Sequence, residues 1–391
     1  MQTRSRTWFA AGMAVLVLAA ACGDGGSEGS RSELLEELRA TGIGDRLGRP
    51  VPAPEPNGRW QTYRYPPSPD GPSCLYGDPE APYQVFVREG PSDDVLFYLE
   101  GGGACWSDET CWQARTAKTD AEPFAPLEVF RGVLAEDDPR NPFADWDVVY
   151  ASYCDGSVFS GDNVVDYPSG RVYHRGIANL SAAIDVMRSR FPAPGRIVVS
   201  GSSAGGFGTL PGYRVMRLAY PETQILVLND SGPGLQNEDE REAIEQRSRH
   251  WRFERFVPAS CTECGGQPAF AIDWGLARDP ELRTAMFSYL DDFVVSAFLA
   301  LDGPAYEALL RRVTDELHAR HPERFERFFV AGASHTILLG AGIAPGGGIG
   351  VEGTFRSLAI DGVGLPEWLA DFLADGPRWR DLIEDATAGD G

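Results

Sequence analysis

The sequence predicts an α/β protein whose central sheet is mainly parallel and covered by helices on both faces. Apolar, β-branched runs typical of buried strands recur along the chain, and helical patterns alternate with them. Strands are predicted near 94–99, 147–152, 196–200, 224–229, 285–290 and 327–331. Helices are predicted near 174–190, 205–219, 236–253 and 304–320, with short ones within 365–386. This alternation favours parallel pairing, because each helix carries the chain back across the sheet.

The strand near 196–200 leads into the most informative motif of the chain, Gly201-Ser-Ser-Ala-Gly205, and a helical segment follows it. A strand, a tight Gly-x-Ser-x-Gly turn and a helix are the context of a nucleophile elbow. The elbow exposes the middle serine beside the positive end of the helix. Ser203 occupies that middle position. A glycine-rich strand-to-helix turn without a chemical role is the alternative interpretation.

A nucleophilic serine requires a base, and the sequence contains five histidines. His335 follows the apolar run at 328–331 and lies in a turn of small residues. The carboxyl end of a strand is where catalytic groups collect in α/β sheets. His335 also follows the serine in the chain, which is the order found with this elbow. The remaining histidines are predicted to begin a helix or to lie on solvated helical surfaces: His174, His250, His318 and His321.

The acid that orients the base should lie between the serine and the histidine in the chain. Residues 285–290 are typical of a buried strand, and Asp291 and Asp292 close it. Both are candidates, and Asp230 at the end of the preceding strand is a weaker one. Because this chain is acidic, an aspartate at a strand end is equally compatible with ordinary surface.

A run of glycines follows the predicted strand at 94–99, in the segment Glu100-Gly-Gly-Gly-Ala-Cys-Trp106. Such a run can direct backbone N–H groups toward an oxyanion, together with the N–H of Ala204 after the serine. A phosphate-binding loop is the alternative. It is disfavoured because no Gly-Lys-Ser/Thr follows and no helix clearly begins there.

Three separated motifs resemble the pectinacetylesterase family and occur in the order found there. They are the segment Phe97–Trp106, the pair Tyr153–Ser157 with Ser160–Asp162, and the elbow segment Gly201–Gly206. The resemblance extends from about Cys74 to His335. It implies an α/β-hydrolase fold that requires no metal and no other cofactor.

The resemblance also implies a role for each site residue. Ser203 would be the nucleophile, Asp291 the acid and His335 the base. The oxyanion would be held by the N–H groups of Gly102, Gly103 and Ala204.

The implied activity is that of an exported serine esterase, which removes an acyl group from a carbohydrate or similar extracellular ester. An acetyl group is favoured, because Gly103 and Ala104 place no bulky side chain beside the oxyanion site. Trp106, Trp112 and Phe207 either line a substrate pocket or pack in the core. The alternatives are a deacylase of lipidated protein or lipid-like esters, and a surface binding protein without turnover.

Residues 1–22 are predicted to be a signal peptide, because arginines precede an apolar run that is too short to span a membrane. Ala19-Ala-Ala-Cys22 resembles a lipoprotein cleavage site, so Cys22 is a candidate for lipidation, with ordinary cleavage as the alternative. Residues 23–31 are rich in Gly and Ser, which favours a flexible tether. Residues 32–391 are predicted to form one domain, and contact with a membrane is expected only through the lipid anchor.

Six cysteines follow Cys22, and an even number in an exported chain favours three disulfides. The expected pairs are Cys105–Cys111, which would close the loop beside the glycines, Cys261–Cys264, which is a local pair, and the remaining Cys74–Cys154. A redox or zinc site at 261–264 is the alternative, but its surroundings are rich in Gly and Pro.

The formal net charge is −22, and all but one of the 35 basic residues are arginine. No basic stripe is present, so nucleic-acid binding is not expected. An ester-containing small molecule or polysaccharide is the partner that the family resemblance implies.

Overall fold

The computed structural model describes residues 25–68, 70–123, 131–340, 342–345, 349–350 and 355–384. The strands, in chain order, are β1 (Glu55–Asn57), β2 (Trp60–Tyr65), β3 (Tyr83–Arg88), β4 (Val95–Leu99), β5 (Asp147–Ala151), β6 (Asn163–Tyr167), β7 (Gly170–His174), β8 (Arg196–Ser202), β9 (Gln224–Asp230), β10 (Arg283–Tyr289), β11 (Phe325–Val330), β12 (Gly342–Ile343), β13 (Ile349–Gly350), β14 (Ala359–Ile360), β15 (Val363–Gly364) and β16 (Leu382–Ile383). The helices are α1 (Gly25–Ala40), α2 (Gly176–Arg190), α3 (Ala204–Ala219), α4 (Arg241–Trp251), α5 (Phe270–Arg278), α6 (Phe293–Phe298), α7 (Gly303–Arg320) and α8 (Leu365–Ala374).

Ten strands form the central sheet, in the order β1-β2-β3-β5-β4-β8-β9-β10-β11-β16. Pairing is parallel from β5 through β4, β8, β9, β10 and β11 to β16, and antiparallel from β1 to β5. The α/β class and its mainly parallel sheet are therefore confirmed. The six predicted strands correspond to β4, β5 and β8–β11.

Side chains of the central strands alternate between two buried layers, as the pleat requires. In β8, Ile197 and Val199 pack in the layer that contains α2, α3 and α7, whereas Val198 packs in the layer that contains α8. The sheet is thus covered on both faces. Its parallel strands all point their carboxyl ends at one edge, where Leu99, Ser202, Asp230, Tyr289 and Val330 end their strands.

The amino-terminal part differs from the prediction. Helix α1 occupies Gly25–Ala40, so the tether predicted over 23–31 is wrong for residues 25–31. The sequence Ser-Glu-Leu-Leu-Glu-Glu-Leu favours a helix, and Leu34 and Leu38 are fully buried against the region of Trp274. The predicted signal peptide and Cys22 lie outside the described residues.

The three expected disulfides, Cys74–Cys154, Cys105–Cys111 and Cys261–Cys264, are present. Cys105–Cys111 closes the segment that follows the glycine run, and Cys74–Cys154 joins residues 80 apart in sequence. Among the described helices, none combines the length and the apolar character that a membrane-spanning segment needs.

Candidate active site

The strand–turn–helix predicted around Ser203 is present. Strand β8 ends at Ser202, α3 begins at Ala204, and Ser203 between them has φ 58° and ψ −122°. This strained conformation requires small neighbours. A Cβ added at Gly205 would lie 1.9 Å from the carbonyl oxygen of Leu99, and one at Gly201 would lie 2.3 Å from that of Gly205. The backbone strain is typical of a nucleophile elbow.

The two adjacent serines have different surroundings. Ser202 is buried, accepts a hydrogen bond from the Tyr98 hydroxyl at 2.7 Å and donates one to Asp230 Oδ2 at 2.6 Å. Ser203 is half-buried and faces a cavity. Only Ser203 can therefore meet a ligand.

His335 is 1% exposed and lies beyond the carboxyl end of β11. Its Nδ1 is 2.9 Å from Asp292 Oδ1 and 2.8 Å from Oδ2. Because both carboxylate oxygens lie within hydrogen-bond distance of Nδ1, the proton of the neutral ring is held on Nδ1, and Nε2 keeps its lone pair. That buried Nε2 has no hydrogen-bond partner within the described residues. The ring is thus set to accept a proton at Nε2.

The structure places Asp292, not Asp291, against His335, so the expectation for Asp291 is wrong. Asp292 is fully buried, and its Oδ1 also accepts from the backbone N–H groups of Val294 and Val295, which caps the start of α6. Because Asp292 caps the helix, its side chain points inward, and the side chain of the preceding Asp291 points outward. Asp291 is exposed beside Gly303.

Asp230, the weaker acid candidate, has a different position. It does not bond the imidazole. Its carboxylate accepts the backbone N–H of Ile337 at 3.0 Å and of Leu338 at 2.9 Å, two and three residues after His335. Its carbonyl accepts the N–H of Ser203 at 2.8 Å. Burial raises the pKa of Asp230, although these hydrogen bonds and the nearby His335 act in the opposite direction.

The glycine run forms a loop beside the elbow. Gly103 has φ +73°, and its added Cβ would lie 2.0 Å from the carbonyl oxygen of Thr116. The N–H groups of Gly102, Gly103 and Ala204 donate to no group in the described structure. Gly103 and Ala204 line the same cavity as Ser203. Three unused donors near the elbow are what an oxyanion site requires.

A buried ion pair that was not predicted from the sequence supports this loop. Lys118, the single lysine, contacts Glu100 at 2.8 Å, with side chains 8% and 2% exposed. The Lys118 backbone N–H donates to the carbonyl of Gly102, and Glu100 also accepts the N–H of Tyr153. The pair therefore ties the start and the middle of the glycine run to the segment of Lys118. Burial raises the pKa of Glu100, which Lys118 opposes.

The cavity in front of Ser203 has a volume of about 160 Å³ and an almost entirely apolar lining. Helix α3 contributes Phe207, Leu210, Pro211 and Arg214, which share one helical face. The other aromatic side chains of the lining are Trp106, Trp251, Phe253 and Phe298. Trp106 and Phe207 thus line the cavity, as one of their two interpretations predicted.

Trp112 does not line the cavity. Its ring stacks on Tyr76 at 4.3 Å and packs near Gly170.

The other histidines are more buried than predicted. His174 ends β7 and does not begin a helix, and burial lowers its pKa to about 3. His250 Nδ1 lies 2.6 Å from the carbonyl oxygen of Trp106, which ties α4 to the glycine loop. His318 Nδ1 donates to the carbonyl of Phe325, and His321 Nε2 bonds Asp273. The charged residues around these histidines predicted exposed positions, but hydrogen bonds to residues distant in sequence hold the side chains partly buried.

One group of potential metal ligands occurs in the described residues: His318, Glu326 and Asp381. Glu326 lies near the amino end of β11, whereas His335 follows its carboxyl end. The group therefore lies at the opposite edge of the sheet from Ser203.

The family model described as pectinacetylesterase matches residues 67–264, a segment that contains the glycine loop and Ser203. Pectin acetylesterase 4 of Arabidopsis thaliana is 37% identical over 123 residues, which cover 30% of each chain. Pectin acetylesterase 11 of the same plant is 26% identical over 204 residues, 49% of this chain and 52% of the relative. Palmitoleoyl-protein carboxylesterase notum1 of Xenopus laevis is 26% identical over 218 residues, 49% of this chain and 44% of the relative. The chain thus spans about half or less of the length of these relatives.

Proposed function

The chain belongs to the pectinacetylesterase family, and from that membership we propose that it is a serine esterase that uses Ser203, His335 and Asp292. The observation that carries the proposal is the buried His335, with Nδ1 bonded to Asp292 and Nε2 unpartnered, in a protein whose Ser203 lies at a strained elbow. A non-catalytic binding protein would have no need of this combination.

The reaction follows from these positions. His335 Nε2 accepts the proton of Ser203 Oγ as that oxygen attacks the ester carbonyl. Asp292 stabilises the resulting imidazolium, and the N–H groups of Gly102, Gly103 and Ala204 hold the oxyanion. The C–O bond to the alcohol then breaks, and the alcohol leaves with the proton from His335. Water, deprotonated by the same nitrogen, releases the acid and restores Ser203.

The cavity supports an acyl group longer than acetyl, in contrast to the preference drawn from Gly103 and Ala104. An acetyl group would leave the Phe207 and Leu210 end of the lining unfilled, whereas a longer chain gains up to about 0.8 kcal/mol for each buried methylene. A carbohydrate would instead need more polar partners than this mainly apolar lining supplies. We therefore assign the cavity to the acyl chain and the solvent side to the alcohol.

Export is proposed on the three disulfides, which persist in oxidising compartments. A lipid anchor at Cys22 is part of the same proposal. Mass analysis of the amino-terminal peptide from the mature protein tests it, since an unmodified residue after cleavage elsewhere would leave the protein fully secreted.

Two assays test the activity. Ser203→Ala should lower kcat by roughly 10³-fold or more with p-nitrophenyl butyrate, and a fluorophosphonate should label the wild type at Ser203. Labelling that persists in Ser203→Ala would refute the assignment, and Ser202→Ala serves as a neighbouring control for the site of labelling.

The second assay addresses the acyl chain. We expect kcat/KM to rise from the acetyl to the octanoyl p-nitrophenyl ester, by at most about fourfold for each methylene. A steady fall along the series would return the assignment to an acetylesterase.

A further inference from the structure

Arg214 is a buried guanidinium without a counter-ion on the wall of the cavity. It is 8% exposed, and no carboxylate pairs with it in the described part of the chain. Its Nε donates to the carbonyl of Leu210 and its Nη1 to that of Phe256. These bonds fix the orientation of the guanidinium, and Nη2 has no hydrogen-bond partner among the described residues. Burial lowers the pKa of Arg214 to about 10, so it stays charged at neutral pH.

A buried charge of this kind is costly unless another charge or a ligand compensates it. The chain is strongly acidic, yet the charged residues that line the cavity are Arg214 and Arg247 and include no carboxylate. Arg247 packs over the ring of Trp106 at 5.0 Å. The charge that the described lining residues offer to a ligand is therefore positive.

The position of Arg214 indicates which part of a substrate it would meet. Ser203 lies at the amino end of α3, and Arg214 lies about three turns further, roughly 16 Å along the axis. Its side chain leans back toward the amino end of the helix, as helical side chains do. Phe207, Leu210 and Pro211 lie between the two on the same face. An acyl chain attached at Ser203 would thus pass apolar side chains and end at a cation.

We propose that the cavity binds the acyl group of a dicarboxylic acid half-ester, with the free carboxylate paired to Arg214. This inference rests on the proposed esterase function and names the substrate class of the same site. The apolar middle of the cavity takes the methylene chain. The pairing is worth about ten- to hundredfold in kcat/KM, the range for a hydrogen bond to a charged group.

Wild-type protein supplies the first test. The probes are p-nitrophenyl half-esters of glutaric, suberic and sebacic acid, each compared with its methyl-capped and uncharged counterpart. The suberic or sebacic half-ester should be preferred over its capped form by about tenfold or more, through a lower KM. The glutaric half-ester should show no such gain, since its carboxylate stops in the apolar region. Capped esters that are always the better substrates would overturn the proposal.

Variants assign the effect to a residue. Arg214→Met should abolish the preference while the capped esters are still hydrolysed, and Arg247→Met is the matched control that should keep the preference. The reverse result would overturn the assignment to Arg214. If Arg214→Met does not fold, Arg214→Lys replaces it. The lysine keeps the positive charge but lacks the planar N–H groups of the guanidinium, so it should retain part of the preference.

The same probes separate the two proposals. If no ester is hydrolysed and Ser203 is not labelled, the esterase function itself is wrong. If capped esters are hydrolysed and charged ones show no advantage, only the carboxylate subsite is wrong.

Discussion

Replacing Asp292 by Asn tests the orientation of His335 without changing the shape of the side chain. Both oxygens of Asp292 face Nδ1, at 2.9 and 2.8 Å, and Oδ1 also accepts the N–H groups of Val294 and Val295. An asparagine oxygen can keep the capping bonds, since Asn is among the preferred N-cap residues. The amide NH2 then faces Nδ1, which favours the ring with its proton on Nε2. That tautomer cannot accept the proton of Ser203.

We therefore expect Asp292→Asn to lower kcat/KM on the order of 10⁴-fold, about 5 kcal/mol in transition-state free energy, while the free energy of unfolding changes by less than about 1 kcal/mol. The matched control is Asp291→Asn. Asp291 is exposed. Its partial desolvation and the negative charges of Glu307, Asp292 and Asp302 raise its pKa. Neutralising it should leave kcat/KM within about twofold.

The assay is initial-rate hydrolysis of p-nitrophenyl butyrate, normalised to fluorophosphonate-reactive protein, with urea unfolding of each variant in parallel. A larger loss in Asp291→Asn than in Asp292→Asn would refute the reasoning. Equal and small losses would show that neither aspartate orients the base.

Three other outcomes are expected. Lys118→Met should lower the free energy of unfolding by about 3–5 kcal/mol, because it leaves Glu100 buried without its cation, and Glu100→Gln in the same chain should restore part of the loss; urea unfolding that is unchanged in Lys118→Met would contradict this. Burial raises the pKa of Glu326 to about 8, so the fold favours the protonated carboxyl. This contribution to stability is fully present when the pH is below the ordinary pKa of a glutamate and is lost as the pH rises through 8. Glu326→Gln should therefore raise Tm more at pH 8 than at pH 5, and an equal change at both would count against it. Hydrolysis should be unchanged by EDTA, and inactivation that added zinc reverses would exclude the serine mechanism.

The parts of the fold that the sequence predicts are those with a local signal. Strand β8 is a short β-branched run that leads into a glycine-bounded serine, and those residues predict its start at Arg196, although the strand continues to Ser202, two residues beyond the predicted end. Cys105 and Cys111 are close in sequence, so their pairing is also local. Strands β2 and β3 carry Gln and Arg among apolar residues, and the sequence did not predict them.

The choice between Asp291 and Asp292 required the structure, because it depends on where α6 begins. Both follow β10, and a shift of one residue in the start of the helix would exchange the inward and outward side chains. The cavity could not be predicted for a similar reason. Its wall joins one face of α3 to α4, α6 and the loop after β4, which are distant in sequence. Local patterns contain no information on such contacts.

The strand order places the four segments of the proposed site at one edge of the sheet. The glycine loop follows β4, Ser203 follows β8, Asp292 follows β10 and His335 follows β11, and β9 lies between the serine strand and the acid strand. Asp230 ends β9, and there it contacts the segments that follow β8 and β11. Its carbonyl accepts the N–H of Ser203, and its carboxylate accepts the N–H groups of Ile337 and Leu338 in the histidine loop. Asp230 thus connects the segment of Ser203, the proposed nucleophile, to the segment of His335, the proposed base, without bonding the imidazole. This position accounts for a buried carboxylate at the centre of the sheet that differs from Asp292, the proposed orienting acid.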